Sequence, residues 1–368
     1  MKIGIFTFHY SLNCGAALQA WALQTYLQRQ GLDARIVNYG SIGWASNYYL
    51  RTDSLRHFLG SLYSDFFTFF RTFAIESYRR HLYRRFHREC MSLGPAVKAS
   101  DLEKGGYTHL ITGSDQVWHP IINEGDSMYF LNGVPDGVRR ISYAPSFGVD
   151  TFDTELEKKM GEWLKRFDAI SVREPQGADI VRRLSGREAQ VVCDPTLLLN
   201  VRDYEDIERK PRFGLPEKYV AVYTICGHTW AEKAAIEVGR KLGLPVVHLL
   251  GGQSARWYFG GPVKRISALG PAEWIWFIHH AECVVTNSFH GTVFSLLFHR
   301  PFWVALNEKA SDARMRTLLD GVGIEDRLCS TSEDLEVEAL LNWQDIDSNL
   351  KKIFMSGKLF LTNKEVFV

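Results

Sequence analysis

Two separate series of alternating strand and helix patterns constrain the fold of this 368-residue chain. In the first, an apolar run over Lys2–Phe8 precedes a helical pattern over Leu18–Gln30, and a second strand pattern follows over Asp33–Tyr39. Strand–helix–strand spacing of this length is typical of a βαβ unit, whose strands are parallel. The alternation resumes further along and runs to Cys193, so we predict a parallel sheet covered by helices.

A second series of the same kind follows a polar, charged and proline-containing segment. From Tyr219 to Gly321, strand patterns again alternate with helical ones. The two series together predict an α/β protein with two Rossmann-like domains that face each other across a cleft. We expect an N-terminal domain over 1–200, a linker over 201–217, a C-terminal domain over 218–335 and a helical tail over 336–368.

The region 44–100 interrupts the first series, and we expect it to form a helical insertion. Its aromatic residues Tyr63, Phe66, Phe67 and Phe70 fall at a helical spacing, and 51–90 contains eight arginines against four acidic residues. The favoured interpretation is an aromatic face packed on the protein with solvated arginines, because such faces more often belong to a core. The alternative is a patch that contacts an anionic membrane.

Composition argues against several classes of protein. The formal net charge is +1, too low for a dedicated nucleic-acid binder, which needs a large basic surplus. No apolar stretch approaches the roughly 18 residues of a membrane span, and the N-terminal run resembles a first strand more than a signal peptide. The cysteines are scattered without a CxxC pair, so we expect reduced thiols and a cytoplasmic location.

The strongest candidate site lies where a strand pattern ends in Thr286-Asn-Ser-Phe-His-Gly291 and a helical pattern begins. This turn places Ser288 and His290 at the carboxyl end of a sheet, beside the backbone N–H groups and the positive dipole end of a helix. Such a turn can bind an anion, and an imidazole there can donate a proton to it. The plainer alternative is a histidine that caps the helix or hydrogen-bonds a loop.

A weaker candidate follows the strand that ends at Gly113. Ser114, Asp115 and Gln116 suit the binding of sugar hydroxyls, with Trp118 as a stacking face, although Asp115 could be a plain helix N-cap.

The first turn of the chain carries Asn13 and Gly15, which can line the cleft. It lacks both the Gly-x-Gly-x-x-Gly pattern and a Walker loop, which counts against NAD-binding and P-loop functions.

Arginines at the ends of predicted elements are candidates for binding carboxylate or phosphate. Arg173 is the best of them because it closes a strand, and Arg314 lies in a later helix. We expect no metal, since His279-His280 has no acidic or thiol partner at ligand spacing in the sequence. Asp345-Ile-Asp347 falls in a polar helical stretch and not at a strand end.

These motifs together resemble the polysaccharide pyruvyl transferase family, from residue 3 to about residue 328. The landmarks are Thr7-Phe8 with Asn13-x-Gly15-x-x-Leu18-Gln19, Gly113-Ser-Asp-Gln-Val-Trp118, Tyr143-Ala-x-Ser-x-Gly148, Ile170-Ser-Val-Arg-Glu174, Asp194-Pro-Thr-Leu197, Thr286-Asn-Ser-Phe-His-Gly291, and Arg314 with Leu318-Leu319 and Gly323-Ile-Glu-Asp-Arg327. Residues 44–88 match poorly, and Cys14 stands where the family often has a tyrosine.

The resemblance implies a GT-B-like glycosyltransferase architecture and phosphoenolpyruvate as the donor, with no further cofactor. It implies transfer of pyruvate as a ketal to a hydroxyl pair of a sugar, in a cell-surface polysaccharide or its lipid-linked precursor, with release of phosphate. The catalytic histidine of the family falls on His290 and its donor-binding arginine on Arg173. We expect further donor contacts from Ser288, Gly291, Thr292 and Arg314, and acceptor or cleft contacts from Asn13, Gly15, Gln19, Ser114, Asp115 and Gln116.

Two other functions remain open from the sequence. A metal-independent glycosyltransferase that uses a nucleotide sugar would share the same fold and cleft. A non-catalytic glycan-binding protein would need no donor at all.

Overall fold

The structure is a computed structural model that describes residues 1–39, 66–96, 105–225, 229–250, 263–266, 268–305, 313–329 and 340–367. Within these residues the chain forms two sheets of parallel strands, each covered by helices. This confirms the predicted α/β class with two Rossmann-like units.

The first sheet has seven strands in the order β3-β2-β1-β4-β5-β6-β7. They are β1 (Lys2–Phe6), β2 (Asp33–Asn38), β3 (Leu93–Ala96), β4 (His109–Thr112), β5 (Arg139–Ser142), β6 (Ala169–Val172) and β7 (Gln190–Val191). The helices of this half are α1 (Cys14–Arg29), α2 (Phe66–Cys90), α3 (Thr154–Lys165) and α4 (Pro175–Ser185). The chain order reverses between β1 and β4, and ligands of open parallel sheets bind outside the carboxyl ends of strands at such a point.

The second sheet has six strands in the order β10-β9-β8-β11-β12-β13, and its order reverses between β8 and β11. The strands are β8 (Val220–Thr224), β9 (Val246–Leu250), β10 (Val263–Ile266), β11 (Cys283–Thr286), β12 (Phe302–Ala305) and β13 (Leu328–Cys329). The helices are α5 (Val201–Glu205), α6 (Thr229–Leu242), α7 (Pro271–His279), α8 (Phe289–Leu297), α9 (Ala313–Val322), α10 (Trp343–Thr362) and α11 (Lys364–Phe367).

Helices α1 and α8 both begin earlier than the apolar spacing predicts, at Cys14 and Phe289. The reason is an N-cap in each case. The Asn13 side chain accepts a hydrogen bond from the Ala16 N–H, and Ser288 accepts one from the Gly291 N–H at 3.3 Å. Helix α8 therefore starts just after the end of β11, and α1 starts after the longer turn 7–13 that follows β1, so both begin on the carboxyl side of their strands, where the candidate site lies.

A chain of buried aromatic rings joins the two halves. Trp21 of α1 lies 5.5 Å from Tyr204 of α5, Tyr204 lies 4.8 Å from Phe294 of α8, and Phe294 lies 5.0 Å from Trp274 of α7, all between ring centroids. Buried aromatic pairs at these separations add to the free energy of folding beyond the area they bury. Tyr204 belongs to the segment predicted as a linker, and in the structure it forms part of a core shared by both halves.

Helix α2 of the insertion lies against both halves. Arg79 is buried and donates a hydrogen bond to the Leu12 carbonyl, while Arg85 forms an ion pair with the buried Glu273 of α7. The expectation that the arginines of the insertion are solvated is therefore wrong for Arg79 and Arg85, because Arg79 is itself buried and Arg85 pairs with a buried carboxylate of a neighbouring helix.

The membrane interpretation of 51–90 stays a prediction. Residues 40–65 and the side chains of 66–72, which include the aromatic spacing, lie outside the described residues. Among the helices that the structure describes, none combines the length and the apolar character that a membrane crossing needs.

Helix α10 carries the chain back onto the first half. A Cβ atom at Gly357 would lie 2.3 Å from the Tyr143 hydroxyl and 2.6 Å from Cys193 Sγ, both of which are buried. The absence of a side chain at this position lets α10 pack closely on the first half.

The variant Gly357→Ala should lower the free energy of unfolding by about 1–3 kcal/mol because the added methyl group overpacks this contact. A glycine-to-alanine change at an exposed helix position would instead raise the free energy of unfolding by up to about 1 kcal/mol. The sign of the change therefore shows whether Gly357 is closely packed. Urea unfolding measures the change, and Gly214→Ala, where nothing lies within 4 Å, is the control. A stabilised Gly357→Ala protein would contradict the packing.

Candidate active site

The carboxylate of Asp194, just beyond β7, brings together residues from both halves. It is fully buried, and its Oδ2 accepts hydrogen bonds from Arg173 Nη1 and Ser114 Oγ, each at 3.0 Å. Its Oδ1 accepts from the backbone and the hydroxyl of Thr196. The Nε2 atom of His290, from the other half, lies 3.7 Å from Oδ2. One carboxylate oxygen thus faces a guanidinium, a hydroxyl and an imidazole.

The surroundings of Asp194 keep it ionised. Burial alone would raise the pKa of this carboxyl, but the nearby His290 ring, the Arg173 guanidinium and the hydrogen bond from the Thr196 N–H outweigh it and hold the pKa well below its usual range. A buried carboxylate beside an imidazole orients the ring and balances the positive charge that it carries in its acid form.

Two glycines allow the close approach of His290 to the rest of the site. A Cβ atom at Gly15 would lie 2.2 Å from His290 Nδ1, so only glycine lets the ring pack on the first turn of α1. A Cβ atom at Gly291 would lie 2.4 Å from Thr286 Oγ1, so glycine also lets α8 start directly over the end of β11. The predicted cleft residue Gly15 and the predicted donor residue Gly291 thus both position the histidine.

Two guanidinium groups lie near this site. Arg173 is buried, with its Cζ 4.6 Å from the centre of the Phe289 ring, and its Nε and Nη2 atoms have no hydrogen-bond partner among the described residues. Burial alone would lower the pKa of Arg173, but the negative charges of Glu174 and Asp194 outweigh it and raise the pKa.

Arg314 of α9 is half-buried, and its Nε atom likewise lacks a partner in the described part of the chain. Burial lowers the pKa of Arg314, and the positive charge of Arg173 lowers it further, which places the two cations within electrostatic reach of each other. Neighbouring guanidiniums with unused N–H groups suit a ligand with two anionic groups.

Gln19 and Ser114, predicted to contact the acceptor, are fully buried and hydrogen-bonded within the protein. Gln19 Nε2 donates to Thr7 Oγ1 at 2.7 Å, and Gln19 Oε1 accepts from the Ser114 N–H at 3.1 Å. These bonds join α1 to the carboxyl ends of β1 and β4. The Asn13 side chain likewise has a partner within the protein, because it caps α1. A direct contact of Gln19, Ser114 or Asn13 with an acceptor stays a prediction.

The segment after β4 holds the remaining predicted cleft residues. Asp115 has a φ of 71°, its Oδ1 accepts from the Gln116 N–H, and its charge acts on both Arg173 and Arg314. The structure therefore brings Asp115 to the arginine pair. The predicted stacking role of Trp118 is wrong, because this side chain is fully buried in the core of the first half.

The structure gives His279 and His280 an acidic partner that no ligand spacing in the sequence shows. Glu208 lies far from them in sequence, but its Oε2 is 2.9 Å from His279 Nδ1 and its Oε1 is 3.1 Å from His280 Nε2. Among the described residues this is the one group of three such side chains close enough to hold a metal ion. His279 and His280 precede β11, whereas His290 follows it. The group with Glu208 therefore lies at the amino-terminal ends of the strands, opposite His290.

Asp194 is the residue of the site that sequence reasoning missed as a functional candidate. It appeared only as part of the Asp194-Pro-Thr-Leu197 landmark. The available signal was its place, since an acidic residue that follows a strand of a parallel sheet lies at the ligand-binding edge.

Comparison with known proteins yields a family and a fold. The sequence model of the family described as polysaccharide pyruvyl transferase matches residues 13–308. A putative UDP-N-acetylglucosamine 2-epimerase from Listeria monocytogenes has a TM-score of 0.53 at 10% identity, over 98% of this chain and 94% of that chain. The UDP-GlcNAc 2-epimerase from Neisseria meningitidis, bound to UDP-GlcNAc, has a TM-score of 0.52 at 10% identity, over 98% of each chain.

At this identity the likeness shows the fold alone, which is the GT-B-like arrangement of two Rossmann-like domains that the sequence predicts. No curated protein matches the sequence.

The variant Asp194→Asn should lower the free energy of unfolding at neutral pH by about 3–5 kcal/mol, because Arg173 loses one of its two buried counter-charges. Since the folded-state pKa of Asp194 lies below the unfolded value of about 3.9, its contribution is complete above that pH and is lost as the pH falls. The stability difference between wild type and variant, measured by urea unfolding, should shrink from about pH 7 to about pH 3.

The exposed Asp150→Asn is the matched control and should leave stability nearly unchanged at every pH. A difference for Asp194→Asn that stays constant on acidification would show that the Asp194 charge does not hold the site together.

Proposed function

Because the chain belongs to the polysaccharide pyruvyl transferase family, we propose that it transfers pyruvate from phosphoenolpyruvate to a pair of sugar hydroxyls, as a ketal, and releases phosphate. The acceptor is a cell-surface polysaccharide or its lipid-linked precursor, modified in the cytoplasm. The observation that carries the proposal is the pair of arginines with unused N–H groups beside a buried histidine.

Phosphoenolpyruvate carries a carboxylate and a phosphate, and each needs a cationic partner. Arg173 and Arg314 can supply one each, and the positive dipole end of α8 adds to the attraction. Ser288 and Thr292 act indirectly in this proposal. The Ser288 hydroxyl holds the Gly291 N–H, and the Thr292 hydroxyl donates to the Ser288 carbonyl, so both fix the turn that carries His290.

His290 is the general acid of the proposed reaction. A proton from its ring reaches the methylene carbon of phosphoenolpyruvate, the double bond is consumed, and C2 becomes an oxocarbenium-like centre. The role of Asp194 is to keep the ring oriented and to balance its charge before the proton leaves.

Two hydroxyl additions then complete the ketal. The first sugar hydroxyl attacks C2 and loses its proton, and the C–O bond to phosphate breaks. The second hydroxyl attacks the same carbon and also loses its proton. Of the two protons released, one restores His290 and one leaves with phosphate, so atoms and charges balance without a redox step.

A donor-binding experiment separates this proposal from a glycosyltransferase that uses a nucleotide sugar. Thermal unfolding is followed with phosphoenolpyruvate and with a panel of nucleotide sugars. A rise in Tm with phosphoenolpyruvate alone supports the proposal. A rise with a nucleotide sugar alone overturns it in favour of glycosyl transfer, and no rise with either favours a non-catalytic glycan-binding protein.

The variant His290→Ala should lower kcat for phosphoenolpyruvate-dependent phosphate release by about a hundredfold or more, since it removes the proton donor. Binding of phosphoenolpyruvate should survive, because the arginine pair is untouched. The exposed His81→Ala on α2 is the control and should retain wild-type turnover. Near-wild-type rates in His290→Ala would remove His290 from the mechanism.

The variant Arg173→Lys should weaken phosphoenolpyruvate binding by about tenfold to a hundredfold, because lysine keeps the charge beside Asp194 but lacks the paired N–H donors. Calorimetric titration gives the Kd. The exposed Arg182→Lys is the control. An unchanged Kd in Arg173→Lys would exclude a donor-binding role for Arg173.

A further inference from the structure

A second group of polar side chains lies near the carboxyl ends of β1 and β2, and the proposed reaction has not used it. His9 follows β1, Asn38 ends β2, and His87 comes from helix α2 of the insertion. Both imidazoles are buried, and their ring centroids are 6.3 Å apart. The Nε2 atoms of both rings and Oδ1 of Asn38 have no hydrogen-bond partner among the described residues.

The other nitrogen of each ring determines what Nε2 can do. His9 Nδ1 lies 3.1 Å from the Thr7 carbonyl, which can only accept, so this nitrogen carries the hydrogen. Burial lowers the pKa of both His9 and His87 to about 4, so both rings are neutral at pH 7. The Nε2 atom of His9 is then a hydrogen-bond acceptor, and a neutral His87 ring can present its Nε2 as a second one.

These atoms do not satisfy one another. The Asn38 side chain lies beside the His9 ring, yet neither its Oδ1 nor His9 Nε2 has a hydrogen-bond partner among the described residues. Buried polar atoms in folded proteins nearly always have a partner, and leaving one without a partner is unfavourable. The group therefore suits a ligand rich in hydrogen-bond donors, and sugar hydroxyls are such donors.

Position and charge both favour the sugar over the donor substrate. His9 follows the first strand of the switch point, on the turn that leads into α1, whose Gly15 lies against His290. Uncharged acceptors do not attract the anionic groups of phosphoenolpyruvate, which the arginine pair suits better.

The Tyr10 ring lies 4.0 Å from the His9 ring and 6.3 Å from the His87 ring, and it is 37% exposed. The partly exposed Tyr10 ring thus borders both buried imidazoles.

We propose that His9 and His87 form the acceptor-binding site, where their Nε2 atoms accept hydrogen bonds from the hydroxyl pair of a hexopyranoside. This inference rests on the proposed pyruvyl transfer. Their low basicity assigns them to binding and orientation of the hydroxyls and not to removal of the protons. Since His87 belongs to α2, the insertion takes part in the choice of the acceptor.

Saturation-transfer NMR with a panel of methyl hexopyranosides tests the site without relying on turnover. The variant His87→Leu should bind the sugars about tenfold more weakly than wild type, because one hydrogen bond is lost. His87→Gln, whose Oε1 replaces the acceptor, should stay within about threefold of wild type. His81→Leu, on an exposed position of the same helix, is the matched control and should bind normally.

A second measurement on wild-type protein does not depend on the folding of a variant. With ¹⁵N-labelled histidine, the Nε2 resonances of His9 and His87 should shift when a sugar is added, because each nitrogen then accepts a hydrogen bond. Resonances that do not move, sugar binding by His87→Leu equal to wild type, or a panel in which no sugar binds would each overturn the inference.

Phosphate release from phosphoenolpyruvate is measured separately on the same samples. Sugar binding that depends on His87 without any phosphate release would defeat the pyruvyl transfer proposal while leaving the sugar site in place. Phosphate release with unchanged sugar affinity in His87→Leu would defeat only the sugar site.

Discussion

The buried negative charge of Asp194 is the interaction on which the site depends. It holds Arg173 and Ser114 by hydrogen bonds and faces His290 across the boundary between the two halves. A buried carboxylate is stable only with such partners, and Arg173 and Ser114 of the first half supply its hydrogen bonds. The aromatic contacts through Tyr204 and the close approach at Gly15 keep the halves in that position.

Charge divides the carboxyl edge of the first sheet into two environments. Beside Asp194, two guanidiniums with unused donors suit a dianionic substrate. Near the end of β1, His9 and His87 are neutral, and their Nε2 atoms have no partner among the described residues. A reaction between an anionic donor and a neutral hydroxyl pair needs such a division, because each substrate is then bound by groups that do not attract the other. Helix α2 contributes to the second environment and also contacts both halves.

Local sequence predicted the parts of the fold that local physics determines. Apolar strands and amphipathic helices at βαβ spacing gave both parallel sheets, and the turn at Ser288 and His290 was found at a strand end. The contacts of Asp194 and of His87 join residues far apart in the chain, so no spacing in the sequence predicts them. For the same reason the sequence did not predict Glu208 beside His279, Trp118 in the core, or the buried arginines of α2. In each case the position of the side chain depends on partners from other elements.

The most direct test of the account is mass spectrometry of a hexopyranoside incubated with the protein and phosphoenolpyruvate in deuterated water. We expect a sugar that gains one pyruvyl ketal per phosphate released, with a single solvent deuterium in the ketal methyl group, because His290 delivers one proton to the methylene carbon. A sugar left unmodified beside intact phosphoenolpyruvate, or one that gains mass only from a nucleotide sugar, would contradict it.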